Sequence, residues 1–110
     1  MNTDNDTELH TTVINIGDWN MDTSNTVNVA HGLDHTKIRS VSFIIRDDSD
    51  TTYYADNFLI SGGGSNTELG VDSIDSTNIV LSRRPTGSFD NVTFDSTSYN
   101  RGWVTIVYEA

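Results

Sequence analysis

The sequence predicts an all-β protein, an antiparallel β-sandwich of about seven to nine short strands, and three observations support this class. Strong helix formers are scarce, because the 110 residues include only three alanines, three glutamates and no glutamine. Aspartate, asparagine, serine and threonine are abundant, and they compete with helical hydrogen bonding while favouring turns or strands. Short runs of alternating apolar residues lie between turn residues, as expected for antiparallel strands with one buried face.

The first predicted strand covers residues 13–16, and Trp19 and Met21 can extend it. The second lies at residues 27–29 and ends in a turn at residues 31–34. The third is the longest, and its alternation places three apolar side chains on one face: residues 37–46, with Val41, Phe43 and Ile45. An acidic turn at residues 47–50 ends it.

The remaining strands are predicted at residues 52–54, 58–60, 71–74, 78–83 and 101–110. The glycine-rich stretch at residues 61–65 is a loop without the lysine and helix of a phosphate-binding loop. Pro85 lies in the turn at residues 84–87, where it does not interrupt a central strand. A polar loop over residues 88–100 leads to the last strand.

The last strand carries apolar side chains on both faces. Val104, Ile106 and Tyr108 share the face that we assign to the core. Trp103 and Val107 share the other face, which a second part of the chain, another subunit or a stacked ligand must cover. We favour another subunit, so Trp103 and Val107 are the predicted oligomer interface.

Length and charge limit the domain organisation and the partners. The chain is long enough for one core, which we place in a sandwich over residues 13–110. Residues 1–12 are mostly polar and are predicted to form an N-terminal arm. The net charge of -10 repels phosphate groups, so neither nucleic acid nor an anionic membrane is an expected partner. The first eight residues lack the pattern of a signal peptide, no apolar run approaches membrane-spanning length, and cysteine is absent.

Residue spacing gives little support for metal binding or catalysis. The three histidines lack the spacing of zinc ligands, and His31, directly before Gly32, is expected to bond to backbone in a turn. Asp47, Asp48 and Asp50 are weak calcium candidates, because their spacing lacks the glycine and glutamate of the twelve-residue calcium loop. No Gly-x-Ser-x-Gly motif occurs and no carboxylate pair stands out. We therefore expect no enzyme activity and no cofactor.

Aromatic residues beside polar ones indicate a different kind of site. Tryptophan and tyrosine rings stack on sugars while neighbouring Asp and Asn side chains accept hydroxyl hydrogen bonds. Gly102 beside Trp103 would leave space above the ring, although packing in the core or an interface is an alternative for both tryptophans. The candidate glycan-stacking residues are Trp19, Tyr54, Tyr99 and Trp103.

Four segments resemble the small β-sandwich appendage domains of tailed-bacteriophage virions, and in outline the H-type lectins. The first two segments are TVNVAHGL at residues 26–33 and IRSVSFIIR at residues 38–46. The other two are DSTNIVLS at residues 75–82 and RGWVTIVY at residues 101–108. The resemblance implies a jelly-roll or H-type-lectin-like sandwich that forms a homotrimer on a phage tail, fibre or capsid surface. The chain lacks the lectins' cysteines and proline-centred early strand, so their sugar site is not transferred.

Two hypotheses therefore stand. In the first, the protein is a non-enzymatic structural component of the virion, assembled in the host cytoplasm, which binds copies of itself and contacts other virion proteins through its N-terminal arm. In the second, the same sandwich is an adhesin that binds a host-surface glycan.

Overall fold

The protein is an antiparallel β-sandwich, as the sequence predicts. The computed structural model describes residues 8–55 and 68–110, in which seven strands form two sheets. The first sheet has the order β1-β7-β3-β4 and the second has the order β2-β6-β5. The strands are β1 (Leu9–Asn15), β2 (Thr26–Ala30), β3 (Ile38–Arg46), β4 (Tyr53–Ala55), β5 (Leu69–Ile74), β6 (Asn78–Arg83) and β7 (Gly102–Glu109).

Alternation along the strands builds one core between the sheets. On β3 and β7 the predicted faces are confirmed, because Phe43, Ile45, Val104 and Ile106 are buried while Val41 and Tyr108 pack against them. The second sheet contributes buried apolar residues from all three of its strands. The buried apolar residues are Ile16, Trp19, Met21, Val29, Phe43, Ile45, Leu69, Ile79, Leu81, Phe89, Phe94, Val104 and Ile106.

Short polar turns connect neighbouring strands. The predicted hairpin of β5 and β6 is confirmed, and the Asp75 carboxylate accepts the backbone N–H groups of Thr77 and Asn78 at its tip. The hairpin of β3 and β4 closes in the same way, since Asp47 accepts the N–H groups of Thr51 and Thr52. Aspartates at strand ends thus replace backbone partners that the turns leave unpaired.

The expected turn role of His31 is confirmed. Its Nδ1 accepts the N–H of Leu33, so Nε2 carries the proton and donates to the carbonyl oxygen of Asp75. Gly32 has a positive φ of 66°, which glycine adopts without strain. The imidazole therefore fixes the turn between the two sheets.

The structure moves the start of the first predicted strand by four residues. β1 begins at Leu9 rather than at residue 13, because its pairing with β7 continues to the Leu9–Glu109 pair. Residues 9–12 therefore belong to the sheet and not to the arm; their His-Thr-Thr sequence has too few apolar residues to indicate a strand. Residues 1–7, the predicted strand at 58–60 and the predicted loop at 61–65 lie outside the described residues.

Gly102 has a different role from the one that the sequence indicates. A Cβ atom at this position would lie 2.0 Å from the carbonyl oxygen of Ile44 and 2.9 Å from the Cα of Ile45. The missing side chain thus allows β3 to pair closely with β7, and it does not serve to leave space above the Trp103 ring.

We expect Gly102→Ala to destabilise the protein by about 3 kcal/mol or more, because backbone atoms of a central strand cannot move away from the new methyl group. Thr105→Ala, three residues further along the same strand, is the matched control and should cost less than about 1 kcal/mol. Urea denaturation followed by tryptophan fluorescence measures both. Equal stability of the two variants would contradict the close approach of β3.

Candidate functional site

The outer face of the first sheet carries an unusual number of exposed apolar side chains. Pairing places the odd-numbered residues of β1 and β7 and the even-numbered residues of β3 on this face. Val13 is 59% exposed, Leu9 54% and Tyr53 51%, and Ile44 is also exposed. We call this surface the apolar platform, and its members are Leu9, Val13, Ile44, Tyr53, Trp103 and Val107.

The strand register brings the members of the platform together. Trp103 lies between Ile44 of β3 and Asn15 of β1, and Val13 is its diagonal neighbour. Val107 lies between Thr11 and Ser40. The remaining positions include small hydroxyl residues, Asn15 and Ala55. The charged residues on this face, Arg46 and Glu109, are the last residues of β3 and β7, so they stand at its two ends.

The outer face of the second sheet has a different composition. Its outward positions on β2 and β6 hold Thr26, Asn28, Ala30, Asn78, Val80 and Ser82. Polar residues dominate this surface, as expected for a sheet face in contact with water. The two outer faces of the sandwich are thus distinguishable by chemistry.

An aromatic cluster lies at one end of the platform. The rings of Tyr53 and Trp103 are nearly parallel, with 7° between their planes and 6.3 Å between centroids. The Arg46 guanidinium lies 5.2 Å from the Trp103 centroid and 4.3 Å from that of Tyr99, within cation–π range. Its Nε and Nη2 donate to the carbonyl oxygen of Asn100, which fixes the group in place.

Asp50 forms the rim of this cluster. Its carboxylate accepts a hydrogen bond from the Tyr53 hydroxyl and lies 3.4 Å from Nη1 of Arg46. The bond from Tyr53 and the neighbouring Arg46 hold the pKa of Asp50 below its ordinary value. The same bond raises the pKa of Tyr53, because the hydroxyl must keep its proton to donate. The rim is therefore an ionised carboxylate beside an exposed aromatic ring.

A buried ion pair supports the cluster from below. Arg101 is completely buried, and its Nη2 donates to Oδ1 of Asp48 at 2.9 Å. Its Nε and Nη1 donate to the carbonyl oxygens of Trp19 and Arg46. Its guanidinium also lies 5.1 Å from the Tyr99 ring centroid. Tyr99 thus contacts the guanidinium groups of both Arg46 and Arg101.

Only part of the predicted glycan set lies on the platform. Trp103 is on it and is half-buried, and Tyr99 lies next to it beneath Arg46. Tyr54 points to the opposite side of the sheet, where its ring contacts Phe89 and Phe94 edge-on. These four residues therefore do not form a single surface.

Trp19 is a core residue. It is 2% exposed, and its Nε1 donates to the carbonyl oxygen of Ser24. Its ring has no open face for a sugar, so the expectation of ligand stacking at this position is wrong. The alternative that Trp19 packs in the core is what the structure has, because the chain after β1 turns inward and closes one end of the sandwich.

The weak calcium candidates are committed to other partners. Asp47 accepts bonds within its own turn, Asp48 pairs with Arg101, and Asp50 contacts Tyr53 and Arg46. Within residues 8–55 and 68–110, no three His, Asp or Glu side chains are arranged to hold a metal ion. The same residues contain no helix of the length and hydrophobicity needed to cross a bilayer.

A second buried charge is also structural. Glu68 is fully buried, its Oε1 accepts the N–H of Ser88, and its Oε2 lies 3.5 Å from Nη1 of Arg84. Gly87 lies directly against the same carboxylate, where a Cβ would overlap it. The group is enclosed by the turn that it stabilises, and no substrate can reach it without opening that turn.

A cleft of about 280 Å³ opens between β3 and β5. It is lined by Ile38, Arg39, Ser40, Val41, Val71 and Ile74. Arg39, the charged member of this lining, forms an ion pair with Glu109. The cleft therefore offers mainly apolar contact and no constellation of reactive groups.

Sequence reasoning found Trp103 and Val107 but missed the other platform members. Leu9 lies in a segment without an obvious strand pattern. Ile44 was not identified as an outward-facing apolar residue, because the predicted alternation of β3 considered only its neighbours Phe43 and Ile45 on the core face. Three apolar residues in succession on β3, Phe43 to Ile45, were the available signal, since the middle one has to face away from the side on which the other two lie.

The comparisons with known proteins add no relative. No protein-family model matches the chain, and no curated protein or solved structure is significantly similar to it.

Acid should weaken the fold through the aspartates whose pKa values are lowered. Partial burial opposes ionisation of Asp48, but bonds from Arg101 and the Ser96 N–H outweigh it and lower its pKa. A pKa below the unfolded value of about 3.9 stabilises the protein above that pH, and the contribution is lost as pH falls further. Asp34, Asp47, Asp50 and Asp75 act in the same direction.

We expect the free energy of unfolding to fall between about pH 5 and pH 2, measured by urea denaturation. Asp48→Asn should cost about 3 kcal/mol at pH 7, because it leaves the Arg101 charge buried without a counter-ion, and should flatten the acid dependence. Asp75→Asn is the matched control at an exposed hairpin, and should cost less than about 1 kcal/mol because the amide oxygen still accepts both N–H groups. Equal costs at the two sites would contradict the buried pair.

Proposed function

We propose that this protein is a non-enzymatic structural module of a tailed-phage virion that assembles as a homo-oligomer through its apolar platform. The observation that carries the assembly part is the platform itself, an exposed apolar surface on an acidic and mostly polar chain. Exposed apolar patches of this kind mark interaction sites on soluble proteins. The virion part rests on the resemblance of the four strand segments to phage appendage domains.

The chemistry of the platform favours a protein partner. Its central residues Trp103 and Ile44 are cross-strand neighbours on β7 and β3. Ser42 and Thr105 lie on one side of this pair, and Tyr53 and Arg46 lie on the other. Aromatic and aliphatic side chains with few charges are typical of the buried centre of an interface. Two like-charged acidic molecules can approach here, because the platform carries little net charge.

The proposed oligomer is three-fold, as the resemblance implies, and light scattering tests it. The expected mass at micromolar concentration is a multiple of three chains of 12.2 kDa. Ile44→Asp should dissociate the assembly, because a carboxylate at the platform centre would be buried without a partner. Asn28→Asp adds the same charge to the outer face of the second sheet and should leave the mass unchanged. A single-chain mass for the unmodified protein would refute the proposal.

Acrylamide quenching gives a second readout, because Trp19 is buried within the folded chain, which leaves Trp103 as the tryptophan that can respond to assembly. Trp103 should be protected in the assembled protein and quenched in folded Ile44→Asp. Equal quenching of the unmodified protein and of folded Ile44→Asp would show that assembly does not cover the platform.

One observation favours glycan binding as a second candidate function. The parallel rings of Tyr53 and Trp103, with the ionised Asp50 beside them, combine stacking surfaces with a hydrogen-bond acceptor. A glycan array should then give signal with the unmodified protein and none with Trp103→Ala, whereas Trp103→Phe should retain part of it. An array blank for the unmodified protein removes this candidate.

A further inference from the structure

Within residues 8–55 and 68–110, the first sheet has an edge strand, β1, with none of the features that usually prevent edge association. The sheet orders place four strands at edges: β1, β4, β2 and β5. β4 has only three residues, and β5 carries Asp72 and a break in register. β2 is uncharged but has only five residues, and the residues that it directs outward, Thr26, Asn28 and Ala30, form no apolar surface beside its edge. β1 has seven residues in uninterrupted register with β7. It contains no Lys, Arg, Pro, Asp or Glu, the residues with which proteins protect their edges.

The register identifies the backbone groups that point away from β7. The N–H of Ile16 donates to Gly102, and the N–H of Ala110 donates to Glu8, so even-numbered residues of this segment bond to β7. The N–H and C=O groups of the odd-numbered residues therefore face outward: Leu9, Thr11, Val13 and Asn15. No hydrogen bond of these groups occurs within the described residues.

The same odd-numbered residues carry the most exposed part of the platform. Leu9 and Val13 lie on the outer face directly beside the free edge. A strand added at this edge would satisfy the outward backbone groups and give both side chains new neighbours. One contact would thus provide partners both for the outward backbone groups of β1 and for its exposed apolar side chains.

We infer that β1 is a pairing site for β1 of a second copy, in antiparallel register about a two-fold axis at Thr12. This inference rests on the proposed homo-oligomer and adds a contact distinct from the platform centre. In this register Leu9 is opposite Asn15 of the second copy, and Thr11 is opposite Val13. All outward N–H and C=O groups of the four odd-numbered residues then find partners among themselves, which registers shifted by two residues do not achieve.

Charge explains why a second copy fits this edge. Each chain has a net charge of -10, so two copies repel except where their contact is neutral. The pairing sets no like charges directly opposite, because His10 faces Ile14 and Thr12 faces itself. Among the described residues, the carboxylates next to this edge have partners within their own chain, since Glu109 forms an ion pair with Arg39 and Glu8 contacts the His10 ring.

The mass of the assembly separates this inference from the proposed function. A three-fold contact at the platform centre together with a two-fold contact at β1 gives six chains. Three chains would leave the platform proposal standing and overturn the β1 pairing. Two chains would support the β1 pairing and overturn the three-fold assembly, and one chain would overturn both.

A cysteine at the axis tests the register directly, because the chain has no other cysteine. Residues opposite each other in a non-hydrogen-bonded antiparallel pair have Cα atoms about 4.5 Å apart, within the range that a disulfide spans. Thr12→Cys should form a covalent dimer on mild oxidation at least about ten times faster than Asn28→Cys, its control on the free edge of β2. Equal rates would overturn the inference.

Proline substitution provides an independent test of the β1 pairing. Thr11→Pro removes an outward N–H without touching the bonds to β7, so the fold should persist while the two-fold contact is lost and the mass falls from six chains to three. Asn28→Pro makes the same change at the edge of β2 and should leave six. An unchanged mass in folded Thr11→Pro would overturn the pairing.

Discussion

The buried guanidinium of Arg101 is the interaction on which the arrangement of the rest depends. Its side chain joins the segment after β1, the end of β3 and the Asp48 turn, and its backbone bonds to Gly17 and Arg46 hold the start of β7 between β1 and β3. Removing a charge of this kind from water is unfavourable unless every donor has a partner, so the surrounding carbonyls, carboxylate and rings must all be in place together. The site thus allows one arrangement of the loops at this end of the sandwich.

The aromatic end of the platform follows from that constraint. The Tyr99 ring contacts the Arg101 guanidinium, and its hydroxyl donates to the carbonyl oxygen of Asp47. The Arg46 guanidinium contacts both the Tyr99 ring and the Trp103 ring. The exposed ring of Tyr53 is then aligned against Trp103 by its bond to Asp50. A buried charge therefore organises an exposed surface, and this rigidity lowers the conformational entropy that a partner would otherwise have to remove.

The two sheets divide the requirements of a small acidic protein between them. The second sheet presents a polar outer face to water, while the first presents apolar side chains beside β1, the longest edge strand of the described residues. Both features of the first sheet lie around β1 and β7, the strands formed by the two ends of the described chain. Assembly along that side would bury the apolar surface and leave the acidic loops exposed, which keeps an assembled particle soluble.

Composition and alternation were sufficient to determine the β class, most strand positions and the core faces of β3 and β7, because the two-residue period of a strand is a local property. They also determined that Trp103 and Val107 share a face apart from Val104 and Ile106. Tertiary structure alone decided that Trp19 is core and Trp103 is not, since burial of a loop residue depends on where the loop closes. It likewise decided that Gly102 accommodates Ile44 and that Leu9 extends the sheet, because pairing and close approach involve residues far apart in sequence.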